Sequence, residues 1–172
     1  MQALRQFSIP LKGLKNGKHE YAFNIDKTFF DCYESSPVSE GKLTAKISLD
    51  KKSDHIILDF WIQGLIQTDC DRCTALIDLP IETENEIIIK YSDEEKEEAD
   101  VVYITNDAHE FNVASLIYEL IVLAIPIIKV YDCESTEPRP CNEDILSRLS
   151  EKTKESDNLL GDALKNLKLD KN

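Results

Sequence analysis

The 172-residue chain reads as an α+β protein, a mostly antiparallel sheet with one core helix packed on it and short helices near its C-terminal end. Three observations predict this. From Leu43 to Leu49 the chain alternates, with Leu43, Ala45, Ile47 and Leu49 on one side and Lys42, Thr44, Lys46 and Ser48 on the other, the period of a strand with one buried face. From Ile56 to Ile66 the positions Ile56, Leu58, Phe60, Ile62 and Ile66 are apolar, while Ile57, Asp59, Trp61, Gln63 and Leu65 mix characters, which predicts a central strand with both faces partly covered. From Val113 to Ala124 the period changes: Val113, Leu116, Ile117, Leu120, Ile121 and Ala124 recur at spacings of three and four, as on one side of a helix.

The other elements follow in order. Tyr21 to Ile25 reads as a strand and Thr28 to Tyr33 as a short helix, with Gly13, Gly17 and Ser35-Ser36-Pro37 as punctuation. Ile87 to Tyr91 and Val101 to Thr105 read as shorter strands bracketing an acidic run. Asn112 is the expected N-cap of the long helix. Val122, Leu123 and Ile125 make its second half apolar nearly all round, the pattern of a core helix, and Pro126 should end it near Ala124. Ile127 to Tyr131 reads as one more strand and Asp132 to Pro140 as a loop. Short helices are expected at Asn142 to Leu149 and Leu159 to Leu169. Residues 1–150 are expected to form one domain, and 151–172 a polar linker with a terminal helix.

Charge is distributed unevenly. Of the formal −13, residues 1–60 contribute nine basic and eight acidic groups, residues 61–146 five and twenty, and residues 147–172 six and five. The net acidity therefore belongs to the middle of the chain, which disfavours a protein that grips nucleic acid with its whole face. Its densest run, Asp93-Glu94-Glu95-Lys96-Glu97-Glu98, is either a solvated loop or a docking surface for a basic partner. The N-terminus lacks the apolar run of a secretory signal, and the longest uncharged apolar stretch, Leu120 to Ile128, is too short to span a bilayer. A cytoplasmic protein with no membrane partner is expected.

In that compartment the five cysteines read as free thiols or metal ligands before disulfides. Cys70-Asp71-Arg72-Cys73 has the spacing by which two thiolates reach one tetrahedral zinc ion, at about 2.3 Å each. Cys133 and Cys141 would complete a four-sulfur set, although seven residues separate them where two to four is usual. The four cysteines either hold zinc or stay reduced; His55 and His109 are substitute ligands. A thioredoxin-type redox role is disfavoured, because that motif sits at a helix N-terminus and strands flank this one, with Asp69 and Asp71 opposing a thiolate. Cys32 reads as a buried apolar side chain. There is no glycine-rich phosphate loop, nucleophile elbow or HExxH, and the three histidines stand in no catalytic context, so no catalytic residue and no small-molecule substrate are assigned.

The order of CDRC after a long strand, an acidic loop, FNVASLIYELIVLAIPIIKV and then a cysteine-bearing loop resembles the YceD family of large ribosomal RNA subunit accumulation proteins. The opening FSIPLKGLKNGKHEYAFNID resembles its Bacteroidetes-type branch, and the likeness runs from about residue 5 to 145, more weakly to Ala163–Lys168. Two positions depart from the family pattern. Relatives often carry a histidine where this chain has Tyr131, with Cys133 two residues on, and many carry a proline and an aromatic residue where it has Asn158-Leu159-Leu160. The resemblance implies a non-enzymatic role in ribosome biogenesis, with a basic large-subunit ribosomal protein or pre-ribosomal particle as partner. On that reading Asp93, Glu94, Glu95, Glu97 and Glu98 would hold the basic partner, and Lys51, Lys52, Lys165, Lys168 or Lys171 would make any RNA contact. A zinc-stabilised binding module with an unrelated partner is the alternative.

Overall fold

Alternation along the strands builds the sheet, as the computed structural model shows for residues 3–93, 101–132 and 140–150. A short 3-10 helix, Ala3–Phe7, leads into β1 (Ser8–Pro10) and β2 (Gly17–Ile25). α1 (Lys27–Phe30) begins at Asp26, whose Oδ1 accepts from the Thr28 N–H at 2.9 Å and the Thr28 hydroxyl at 2.6 Å. β3 (Glu40–Lys51), β4 (His55–Asp69) and β5 (Leu76–Tyr91) are long; β6 (Val101–Ile104), β7 (Glu110–Asn112) and α2 (Ala114–Ala124) follow. A last helix, α3, covers 143–150.

The described residues form two compact units, one within Met1–Thr68 and Asp78–Ile127, the other within Asp69–Ile77 and the described part of the chain from Ile128. In the first, the strand order is β2-β3-β4-β5-β6, with β2, β3 and β4 antiparallel and β6 added parallel to β5. β1 and β7 pair separately, Ile9 opposite Phe111. One face of the large sheet is an aliphatic floor. Leu43, Ala45, Ile47 and Leu49 of β3, Ile56, Leu58, Phe60, Ile62 and Ile66 of β4, and Ile81, Ile87 and Ile89 of β5 are all buried. They share a core with Ile117, Leu120 and Ile121 of α2, Phe29 and Phe30 of α1, and Phe7 and Ile9 near the N-terminus. The α+β expectation therefore holds. Gly64, paired with Leu43, has φ +154°, and a Cβ there would lie 2.3 Å from the Lys42 carbonyl oxygen, so only glycine lets β3 and β4 stay in register.

Several expectations change. β5 begins eleven residues before Ile87, because Asp78, Glu82, Glu84 and Glu86 lie on its solvent side and hide the strand in an acidic stretch. The cap position of α2 is Val113; Asn112 sits one residue earlier, where its Oδ1 accepts from the Ala114 N–H at 3.0 Å and its Nδ2 donates to the Leu4 carbonyl and the Ser8 hydroxyl. Leu123 is 81% exposed, so α2 buries one side rather than its whole second half. Residues 127–131 form no strand: Ile127 is 98% exposed, and the segment has no ladder of backbone bonds to hold it extended. Cys32 is exposed, its thiol donating to the Thr28 carbonyl at 3.3 Å. The expected linker and helix at 151–172 lie outside the described residues.

Candidate functional site

Two places carry chemistry. The first is the turn after β4. The Cys70 N–H donates to the Ala75 carbonyl and the Thr74 N–H to the Cys70 carbonyl, both at 2.8 Å, and Thr74 adopts the left-handed φ of +55° that closes the turn. This buries Cys70 and Cys73 side by side, at 1% and 0% exposure, as free thiols. Burial pushes the Cys70 thiol up, but backbone N–H groups of Tyr131, Arg72 and Cys73, with the Cys73 thiol, donate toward its sulfur and leave it below the ordinary thiol value. Asp71 ties the turn to the chain beyond Pro126: its N–H donates to the Lys129 carbonyl at 2.8 Å, and its Oδ2 accepts from the Lys129 N–H at 2.7 Å.

Cys141 packs on the small core of Cys70, Cys73 and Ile77, together with Tyr131, Ile145 and Leu146. It is disulfide-bonded, whereas Cys133 lies outside the described residues. The Cys70–Cys73 half suits a thiolate-bound metal, since both sulfurs are buried on one turn and N–H groups already favour the Cys70 thiolate. Among the described residues, however, no group of three or more histidine, cysteine or carboxylate side chains is arranged to hold one. His55 contacts Asp54 at 2.9 Å, and His109 contacts Lys12 and the Asp107 carbonyl at 3.0 and 2.7 Å. The turn joins two strands, so the helix N-terminus that a thioredoxin-type dithiol relies on is missing at Cys70.

The second place is the solvent side of the large sheet. Strand register sets Glu20, Ser48 and Asp59 in one row and Ala22, Lys46 and Trp61 in the next. Trp61 is half-buried; the Lys46 ammonium lies 4.6 Å from its ring centroid, and its Nε1 donates to Glu82 Oε1 at 3.3 Å. Around them is an open trough of ≈ 1010 Å³ whose lining includes Glu20, Asp59, Glu84 and Glu86, with Lys46 its one basic side chain. Sequence reasoning missed this site. The signal was the mixed row of Ile57, Asp59, Trp61, Gln63 and Leu65 on β4, which gains meaning only once β2, β3 and β5 are laid beside it. Of the acidic run singled out from sequence, Asp93 accepts from Asn106 Nδ2 at 3.2 Å, and Glu94, Glu95, Glu97 and Glu98 lie outside the described residues. Lys51 is tied to the Leu11 and Leu14 carbonyls and Lys52 to Asp50, while Lys165, Lys168 and Lys171 lie outside the described residues.

No helix among the described residues is long and apolar enough to cross a membrane. No curated protein and no solved structure matches the chain. Residues 58–168 match the model of a family described as Large ribosomal RNA subunit accumulation protein YceD. That span takes in the Cys70–Cys73 turn and α2, parts whose order carries the resemblance in the sequence, and it covers more than half of the chain. The chain belongs to the YceD family of large ribosomal RNA subunit accumulation proteins.

Proposed function

We propose that the chain is a non-catalytic ribosome-assembly factor of the cytoplasm, supporting accumulation of large-subunit ribosomal RNA by holding a basic large-subunit ribosomal protein or a pre-ribosomal intermediate. The family match carries this reading. The charge distribution supports the partner's sign, because residues 61–146 hold twenty acidic against five basic groups. Such a surface attracts a basic protein and repels bare phosphate, and complementary charge speeds encounter and rejects wrong partners. Affinity purification of the full chain from its own cells, read by mass spectrometry, is expected to recover basic large-subunit proteins or immature large subunits. Recovery of neither, with normal large-subunit ribosomal RNA in a deletion strain, would overturn it.

A second reading is a zinc-stabilised binding module with an unrelated partner. The observation favouring it is the Cys70–Cys73 turn, which buries both thiols in one small core. In this reading Cys70 and Cys73 hold the ion together with Cys141, once reduced, and Cys133. Bound zinc would fix the turn by tetrahedral coordination. Elemental analysis of protein purified under reducing conditions is expected to find zinc that is lost in Cys70→Ser and Cys73→Ser; zinc-free protein that keeps its fold would remove the idea.

A further inference from the structure

We propose that the Trp61 trough on the solvent side of the sheet is a docking site for an extended, arginine-bearing segment of a basic partner protein. The inference deepens the assembly-factor reading and rests on it for the partner's source, not for the chemistry of the site. Four observations converge. The trough is open because small side chains, Ala22 and Ser48, lie in the rows flanked by Trp61 and Asp59. Carboxylates stand around it on three different strands: Glu20 on β2, Asp59 on β4, and Glu82, Glu84 and Glu86 on β5. All five are exposed, and Glu20, Asp59, Glu84 and Glu86 border one open volume. The indole at the centre already holds a cation, the Lys46 ammonium, over its ring.

The last observation separates this place from a mere acidic patch. A tryptophan face flanked by carboxylates matches a guanidinium, which stacks on the ring while its planar fork pairs with a carboxylate. Lysine offers only a point charge. Lys46 is an exposed side chain on the neighbouring strand, free to swing away, so it acts as an internal occupant that an incoming arginine displaces. Geometry sets the partner's shape. Four strands spaced at about 4.8 Å make the trough about 14 Å across, which about five extended residues span at about 3.3 Å each. A nucleic acid strand is disfavoured because its phosphates would face Glu20, Asp59, Glu84 and Glu86.

Trp61 is the only tryptophan in the chain, so its fluorescence reports on this site alone. The full chain is titrated with a peptide of about ten residues alternating arginine and glycine, long enough to cross the trough, with the matching lysine–glycine peptide and a single-stranded RNA oligonucleotide as separate arms. The arginine peptide is expected to change Trp61 emission and to bind about fivefold or more tighter than the lysine peptide. By calorimetry, Trp61→Ala and the double variant Glu84→Gln/Glu86→Gln are each expected to weaken it about tenfold, with unchanged circular dichroism. Lys46→Ala is expected to bind as well or better. Equal affinity of wild type and Trp61→Ala, preference for RNA, or loss of binding only when the 93–98 carboxylates are neutralised would overturn the proposal. Retention of ribosomal proteins by Trp61→Ala in cells would sink the trough and spare the assembly-factor reading. Peptide binding at Trp61 without any ribosomal partner in cells would do the reverse.

Discussion

The two faces of the large sheet are written by alternate residues of the same strands, yet they obey different rules. On β4 the inward positions Leu58, Phe60 and Ile62 are buried at 0–2% exposure, and their neighbours Asp59, Trp61 and Gln63 face solvent. The inward face is satisfied by any well-filled apolar packing, since burial is non-directional. The outward face places a tryptophan among carboxylates from three strands, held by Lys46 and Glu82 on the neighbouring strands. The difference teaches that one periodicity writes both a buried face and a solvent face, one residue out of phase, so that the proposed recognition site can vary without the core.

Substitutions that respect or violate that phase should separate the two roles. The largest loss of stability is expected from Leu58→Ala, which removes a fully buried side chain at the centre of the floor and should cost about 3 kcal/mol in urea unfolding. Gly64→Ala should follow at about 2 kcal/mol, because the new Cβ meets the β3 backbone and cannot escape at φ +154°. Trp61→Ala, one residue from the floor but on the other face, should change stability by less than about 1 kcal/mol while removing most of the arginine-peptide binding. If it unfolded the protein as Leu58→Ala does, the two faces would not be separable.

The smallest effect concerns Tyr33, stacked on Tyr118 at 3.8 Å, with its hydroxyl buried and without a hydrogen-bond partner among the described residues. Burial, reinforced by Coulombic repulsion from the neighbouring Cys32, Tyr118 and Glu119, pushes its pKa up to about 12 from 10.0. The folded state thus holds this proton more tightly than the unfolded state. The resulting stability is fully present below pH 10 and is lost as pH rises toward 12. Ultraviolet titration should show a late ionisation that is reduced by one tyrosine in Tyr33→Phe.

Much of the sheet was legible because β3 and β4 carry clean alternation, and α2 because its spacing changes to three and four. The first half of β5 was not, since Asp78, Glu82, Glu84 and Glu86 look like a polar loop until their apolar alternates Leu79 and Ile81 are set on the inner face. Residues 127–131 misled in the opposite sense: apolar composition suggested a strand, but a strand also needs a neighbour to bond, and composition does not reveal one. For the sites, the CxxC spacing announced Cys70 and Cys73, yet the Tyr131 N–H and the Lys129 tether join residues about sixty positions apart and could not be seen. The trough was invisible for the same reason, as its residues come from four strands and meet only through register.

The outward face is proposed to recruit a basic assembly partner. Affinity purification of wild type and Trp61→Ala side by side from the native cells, with quantitative mass spectrometry, tests this most directly. Basic large-subunit ribosomal proteins are expected to come with the wild type and to fall about tenfold with the variant, with circular dichroism unchanged. Equal recovery with both, or recovery with neither, would contradict it.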